Sequence, residues 1–455
     1  MGKKYDFKYI VIGSGPAGSA VALTLGKAKK RVALVEGRYF SGSNLNTRDI
    51  PYTVALDFSH TYSKVRSLPE FGHQDLTFNF STIAARELKT IVDAGGNNQK
   101  LFEESGVVCF NDFANFLDPH TIAIRNRKIT SENFIIATGS HLKISEISGT
   151  ETVGFLSPET AIKARRLPKV LAVVGGGSTG CEIASFYAEL GVKVILFEFA
   201  ERLLPKEDQE VGETISNYFT QELGVSVFTS TKVVAIQEDN FSKSVIFRFE
   251  NQEKLIRVDN IVLATGSEPN LDCGLENAKV KYRNSGIVVN KHFETTAKHI
   301  YAIGDCIGTE SSTERAYTEG LTLATNLIHK SKNILNYHGF IRQTNTFPEV
   351  ATIGYSEDDL TKRDRKYKKA IVKLDEIPAS KIYNFNYGFI KLLSDKNNRL
   401  IGASLVCPNA SLIANEVSVV IRHHLTALEL ASTPHIMNSF NYALKLAAKK
   451  IVEKK

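Results

Sequence analysis

An α/β fold with two Rossmann-type dinucleotide-binding units and a C-terminal α+β unit is what the sequence predicts, on three observations. A strand, glycine turn, helix and second strand occur in that order twice, at residues 9–36 and 171–198. Each copy is later closed by an apolar run ending in the same tetrapeptide, Ala-Thr-Gly-Ser, at 137–140 and 264–267. Beyond about residue 340 the pattern changes to short strands followed by two helical runs, with no glycine fingerprint.

In the first copy, Gly13-Ser14-Gly15-Pro16-Ala17-Gly18 follows the apolar run from Tyr9 and opens a helix of small and apolar residues. The first glycine makes the tight turn, the second lets backbone approach a pyrophosphate, and the third lets helix pack on strand. The helix start then offers free N–H groups and a positive dipole end to phosphate. Glu36, 23 positions after Gly13, ends the second strand and is placed to accept from ribose hydroxyls. The second copy repeats this with Gly175-Gly176-Gly177-Ser178-Thr179-Gly180 and Glu198, again 23 positions on. A carboxylate there pairs with a free 2′-hydroxyl and repels a 2′-phosphate, so NAD(H) is favoured over NADP(H). Arg202, beside Glu201, is read as a surface salt-bridge partner rather than a phosphate ligand.

After the second closure comes the run from His299 to Ile303, ending in Gly304-Asp305 at the edge where parallel sheets bind ligands. The expected boundaries are 1–145 and 266–335 for one split dinucleotide domain, 146–265 for the other and 336–455 for the α+β domain. Helical runs are expected at 409–424 and 439–452, and a helix near 82–105.

Composition narrows the function classes. The chain has 455 residues, with 43% hydrophobic and 23% charged content, ordinary values for a globular protein with several cores. The formal charge of +7 owes much to the lysines at both ends, Lys3-Lys4 and Lys449 to Lys455, not to a basic stripe. Nucleic-acid binding is therefore not expected. The five cysteines, Cys109, Cys181, Cys273, Cys306 and Cys407, show no C-x-x-C or C-x4-C spacing, which argues against a disulfide framework and a metal site. No leader pattern or long apolar span is present, so a cytoplasmic protein without a membrane span is expected.

These motifs together resemble the pyridine nucleotide-disulfide oxidoreductase family, which includes dihydrolipoamide dehydrogenase, glutathione reductase and mercuric reductase. The likeness extends through Ala302-Ile303-Gly304-Asp305 and through Phe347-Pro348-Glu349-Val350-Ala351-Thr352-Ile353-Gly354, which is similar to the opening of the family's dimerisation domain. The resemblance implies FAD on the first glycine turn, with Gly42, Ser43, Thr138, Gly139, Gly304 and Asp305 contributing. It implies NAD(H) on the second, with Glu182 and Gly266 contributing, and a homodimer.

The family's redox stretch, Gly-Gly-x-Cys-x4-Cys-Ile-Pro-Ser-Lys, is matched by residues 41–53, where Asn44 and Asp49 stand at the cysteines and Thr53 at the lysine. The C-terminal His-x-His-Pro-Thr run and its glutamate are matched by His435, Met437 and Tyr442, so the second histidine and the glutamate are absent too. Without a dithiol to protonate, that dyad has no task. Disulfide reduction by the family mechanism is not expected, and a lowered flavin potential is, since Asp49 adds and Thr53 removes charge.

Glu182, Asn44, Asp49 and Tyr442 are the candidate catalytic residues. The plain alternatives are a helix cap and polar filler for Asn44 and Asp49, and packing for Tyr442 and Met437. The reading that follows is an FAD-dependent NAD(P)H:acceptor oxidoreductase serving a small acceptor such as a quinone. A non-catalytic FAD/NADH-binding sensor or assembly protein and a soluble nicotinamide transhydrogenase remain open beside it.

Overall fold

In a computed structural model the described residues are 5–68, 77–144, 146–164, 166–239, 242–308 and 312–454; Lys3, Lys4 and Lys455 lie outside them. Two units result, one from residues 1–54, 81–143 and 266–337, the other from 55–80, 144–265 and 338–455.

The first unit is built on a seven-stranded sheet. Its parallel part places Phe7–Ile12 between Val32–Glu36 and Arg127–Ile136, with Val107–Asn111 outside the former and Ile300–Ala302 beside the latter. Thr121–Ile124 and Ala114–Asp118 extend it antiparallel. Ile10, Val11, Leu34 and Ile135 are fully buried, as continuous apolar runs in a sheet covered on both faces must be. The helices Pro16–Lys27 and Thr313–His329 pack on this sheet and on each other. Their approach is close: a Cβ at Gly320 would lie 2.4 Å from the Ala17 carbonyl oxygen.

The expected helix near 82–105 is two helices, Phe80–Asp93 and Gln99–Glu104. Gly95, at φ +81°, ends the first, and the Asn98 side chain caps the second by accepting from Leu101 N–H. Apolar periodicity continues across the break, which is why it reads as one element.

The second unit holds a parallel sheet in the order Ser226–Phe228, Lys193–Phe197, Val170–Val174, Asn260–Leu263. Lys232–Glu238, Lys243–Phe249 and Gln252–Val258 pair as a three-stranded antiparallel ribbon. Its C-terminal part is a five-stranded antiparallel sheet, in the order Ile341–Thr344, Glu349–Gly354, Leu400–Cys407, Phe389–Ser394, Lys368–Lys373. Helices Ala410–Arg422 and Tyr442–Glu453 bury Val417, Leu444, Ala447 and Ile451 against it. Two Rossmann-type domains and a C-terminal dimerisation-type domain are thus the architecture that the glycine turns and the change of pattern predict.

Candidate functional site

Both glycine turns have the geometry that their spacing implies. Gly13 and Gly175 have φ of +98° and +109°, and a Cβ on either would fall 2.2 or 2.3 Å from the carbonyl oxygen of the closing Ala137 or Ala264. Only glycine meets both demands. A Cβ on Gly18 would lie 1.9 Å from Gly13 O, and one on Gly180 would lie 1.8 Å from Gly175 O, so each helix presses on its own turn. A Cβ on Gly15 or Gly177 would meet nothing within 4 Å. These residues cap helices Pro16–Lys27 and Ser178–Glu189 without any side-chain hydrogen bond, and Pro16 at the first position needs no N–H partner. The amides of each helix start, beside open backbone, fit the pyrophosphate of a dinucleotide.

The two carboxylates at the strand ends have a task besides ribose. Glu36 Oε2 accepts from Ser14 N–H at 2.8 Å and from its hydroxyl at 2.6 Å, while Oε1 accepts from Arg38 N–H at 2.8 Å. Glu198 Oε2 accepts from Gly176 N–H, and Oε1 from Ala200 N–H, each at 2.6 Å. Each oxygen of a carboxylate has two acceptor sites, so capacity for a ribose hydroxyl remains. The Arg202 guanidinium is engaged by Asp358 at 3.1 Å and by the Glu207 carbonyl at 3.2 Å. That agrees with its reading as a salt-bridge partner.

Around the first turn the remaining candidates converge. Gly42, at φ +74°, sits so close that a Cβ would lie 2.4 Å from Gly15 Cα, and Ser43 follows it in the helix Gly42–Thr47. Thr138 and Gly139 are clasped by Asn270: its Nδ2 donates to Thr138 O, its backbone N–H donates to Gly139 O, and its carbonyl accepts the Thr138 hydroxyl. Asp305 Oδ2 accepts from the Ser140 hydroxyl at 2.8 Å. Gly304 N–H donates at 2.7 Å to Glu319, a fully buried carboxylate that also accepts from Arg315 and Tyr337. Asn44 and Asp49 are brought together through Thr313, whose hydroxyl accepts from Asn44 Nδ2 and donates to Asp49 Oδ2, each at 2.6 Å. Asn270, Thr313 and Glu319 were not singled out from the sequence. Ser312-Thr313-Glu314 does carry a helix-start signal, with the Ser312 side chain as the cap, but that signal says nothing of what Thr313 touches.

In the second unit, Ser178 and Thr179 are exposed at the helix start, and Thr344 donates to the Ser178 hydroxyl at 2.9 Å. Glu182 Oε1 accepts from Asn345 N–H at 2.7 Å. Tyr442 opens the last helix and packs on the C-terminal core, while Met437 is exposed. Gly266 falls in the first unit, where its carbonyl accepts from Lys143 N–H. Glu182 and Tyr442 belong to the second unit and the Asn44–Thr313–Asp49 group to the first.

All five cysteines are free; four are buried and Cys109 is half-buried. Burial pushes the Cys109 thiol up to about 11, and those of Cys273 and Cys306 up to about 12. Cys181 and Cys407 are raised by the same cause. None is a thiolate near neutral pH.

Two dinucleotide turns on parallel sheets, followed by an antiparallel C-terminal domain, define a flavin- and nicotinamide-binding oxidoreductase. Residues 7–320 match the pyridine nucleotide-disulphide oxidoreductase family and residues 342–448 match that family's dimerisation domain. The chain belongs to this family, whose members bind FAD and NAD(P)H, and the dimerisation domain implies a homodimer. It is 28% identical to mercuric reductase of Staphylococcus aureus over 97% of this chain and 82% of that one. Identity is also 28% to dihydrolipoyl dehydrogenase of Corynebacterium glutamicum, over 98% of each chain. In fold it is similar to the HOCl-induced flavoprotein disulfide reductase RclA of Escherichia coli, with a TM-score of 0.86 at 24% identity over 97% and 99% of the two chains. The likeness to LpdA of Mycobacterium tuberculosis has a TM-score of 0.87 at 21% identity, over 97% and 99%. Among the described residues no helix is long and apolar enough to cross a membrane.

Proposed function

We propose that this chain is an FAD-dependent NADH:acceptor oxidoreductase that serves a small, quinone-like acceptor without a dithiol relay. One observation carries the proposal. Where the family motif has its two cysteines, Asn44 and Asp49 are hydrogen-bonded through Thr313, and no cysteine of the chain is paired, while both dinucleotide turns are complete.

FAD, when bound, supplies the two-electron carrier between nicotinamide and acceptor. The chain's own residues bind and orient. The turn Gly13 to Gly18, Glu36, Gly42, Ser43, Thr138, Gly139, Gly304 and Asp305 hold the flavin nucleotide; Asn270 keeps Thr138 and Gly139 in place, Glu319 keeps Gly304 and the Ser140 hydroxyl keeps Asp305. In the second unit Gly175, Gly177 to Gly180, Glu182 and Glu198 hold NAD(H). The preference for NADH rests on Glu198, which opposes a 2′-phosphate, and on Arg202, whose guanidinium is already engaged by Asp358. The same preference disfavours a transhydrogenase, which must bind both nicotinamides.

The test is an anaerobic titration of the purified, FAD-loaded protein with NADH, followed by addition of a benzoquinone. The flavin is expected to bleach without a thiolate-to-flavin charge-transfer band and to recover its colour with the quinone. Flavin that stays oxidised in excess NADH and NADPH, as a non-catalytic binding protein would show, overturns the proposal.

A further inference from the structure

Three polar side chains from three helices meet in the first unit: Asn44 in Gly42–Thr47, Asp49 at the start of Asp49–Ser67, and Thr313 at the start of Thr313–His329. A threonine hydroxyl has one proton and two lone pairs. Asn44 Nδ2 donating to Thr313 Oγ1 and Thr313 Oγ1 donating to Asp49 Oδ2 is the arrangement that suits an ionised Asp49, which can only accept. With Asp49 protonated, its carboxyl proton can enter the second lone pair of Thr313 Oγ1 while Asn44 Nδ2 keeps the first, and the hydroxyl proton turns away from both.

A second feature points outward from the group. Asn44 Oδ1 is buried with no hydrogen-bond partner among the described residues, an arrangement that is costly unless a donor reaches it. Asp49 keeps an exposed edge.

We propose that Asn44, Thr313 and Asp49 form a proton-delivering site for an acceptor that must be protonated as it is reduced, a carbonyl compound of the quinone class. Asp49 is the acid, Thr313 is the positioning residue that holds it, and Asn44 Oδ1 receives the hydroxyl proton donor formed on the product. The inference rests on the acceptor-reductase reading above. NADH supplies two electrons and one proton, Asp49 supplies the second proton, and solvent returns a proton to Asp49 at its exposed edge. The sum is NADH, a proton and a quinone giving NAD+ and a hydroquinone.

The surroundings of Asp49 suit an acid. Burial raises its carboxyl above the ordinary range, and the charges of Glu314 and Asp305 add to that, against the Thr313 donor and Arg48, which lower it. A carboxyl raised above its ordinary range is a closer match to a proton donor working near neutral pH.

The experiment uses the FAD-loaded full chain. The absorption spectrum of the bound flavin is titrated with pH in the native protein, Asp49→Asn, Thr313→Val and Thr313→Ser. A one-proton transition is expected in the native protein and absent in Asp49→Asn. In Thr313→Val, which loses the donor to the carboxylate, it moves up by about half a pH unit or more, and Thr313→Ser restores it. In parallel, turnover with a benzoquinone is divided by turnover with ferricyanide, which takes one electron and no proton. That ratio is expected to fall about a hundredfold in Asp49→Asn. An unchanged ratio, or a spectral transition that Thr313→Val leaves in place, overturns the proton-delivering site while the acceptor-reductase reading stands. Absence of native turnover with either acceptor overturns both.

Discussion

Lys391 Nζ lies 2.7 Å from Asp208 Oδ2, and the two side chains are 0% and 2% exposed. Glu357 at 2.7 Å and Glu210 at 2.9 Å complete the shell of the ammonium, and Ser404 and Glu357 N–H donate to Asp208 as well. The group ties the start of the helix Gln209–Gln221 to strand Phe389–Ser394. Removing one partner of a buried ion pair leaves the other charges uncompensated. Lys391→Met is therefore expected to cost about 3–5 kcal/mol, read as a lowered midpoint in guanidinium denaturation. A change below about 1 kcal/mol would show that the carboxylates are solvated instead.

The same group sets an acid limit. Burial opposes ionisation of Glu210, but the hydrogen bond and charge of Lys391, with Lys369, bring its carboxyl down from 4.5 to about 2. A carboxyl lowered in the folded state contributes stability that is complete above its unfolded value and is lost as pH falls through the folded one. The native protein is thus expected to lose this contribution between about pH 4.5 and 2. Lys391→Met should flatten that part of the stability–pH curve, measured by thermal unfolding at stepped pH.

His60 works with the opposite sign. Burial pulls its imidazole down, yet the hydrogen bond to Glu189 at 2.7 Å and that carboxylate's charge outweigh it, with Asn345 O and Glu349 adding. The net shift is upward from 6.5. Stability from this pair is full below about pH 6.5 and declines as pH rises through the higher folded value. His60→Gln should remove that slope. An NMR titration placing the imidazole below 6.5 would contradict the assignment.

For Glu198, the expected outcome is a kcat/KM for NADH at least about tenfold above that for NADPH, equivalent to about 1.4 kcal/mol. Glu198→Ala should narrow that ratio. It should also destabilise the fold by about 1–3 kcal/mol, because Gly176 N–H and Ala200 N–H lose their acceptor. An NADPH preference in the native protein would refute the role given to this carboxylate.

Gly18→Ala puts a methyl group 1.9 Å from Gly13 O. Helix and turn must separate, at a cost of about 1–3 kcal/mol, and the helix-start amides proposed to face the pyrophosphate move with them. The variant is expected to be purified with a lower FAD-to-protein ratio than the native chain. Equal FAD retention would mean that the turn tolerates the shift.

Much of this was legible in the amino-acid order. The two glycine turns, their helices, the carboxylates Glu36 and Glu198, the closing strands before Gly139 and Gly266 and the change of pattern after residue 340 all follow from sequence, because backbone sterics and apolar periodicity act over a few residues. The family resemblance came from those same local motifs. A break such as Gly95-Gly96 was harder to place, since apolar spacing runs through it and only the capping geometry ends the helix.

What tertiary structure alone decided is who meets whom. Thr313 reaches Asn44 and Asp49 from 269 and 264 residues away, Glu319 holds Gly304 from the next helix, and Lys391 finds Glu210 across 181 residues. No periodicity encodes such pairs. They are set by the packing of helix on sheet, which brings distant side chains to hydrogen-bond distance only once the core has closed.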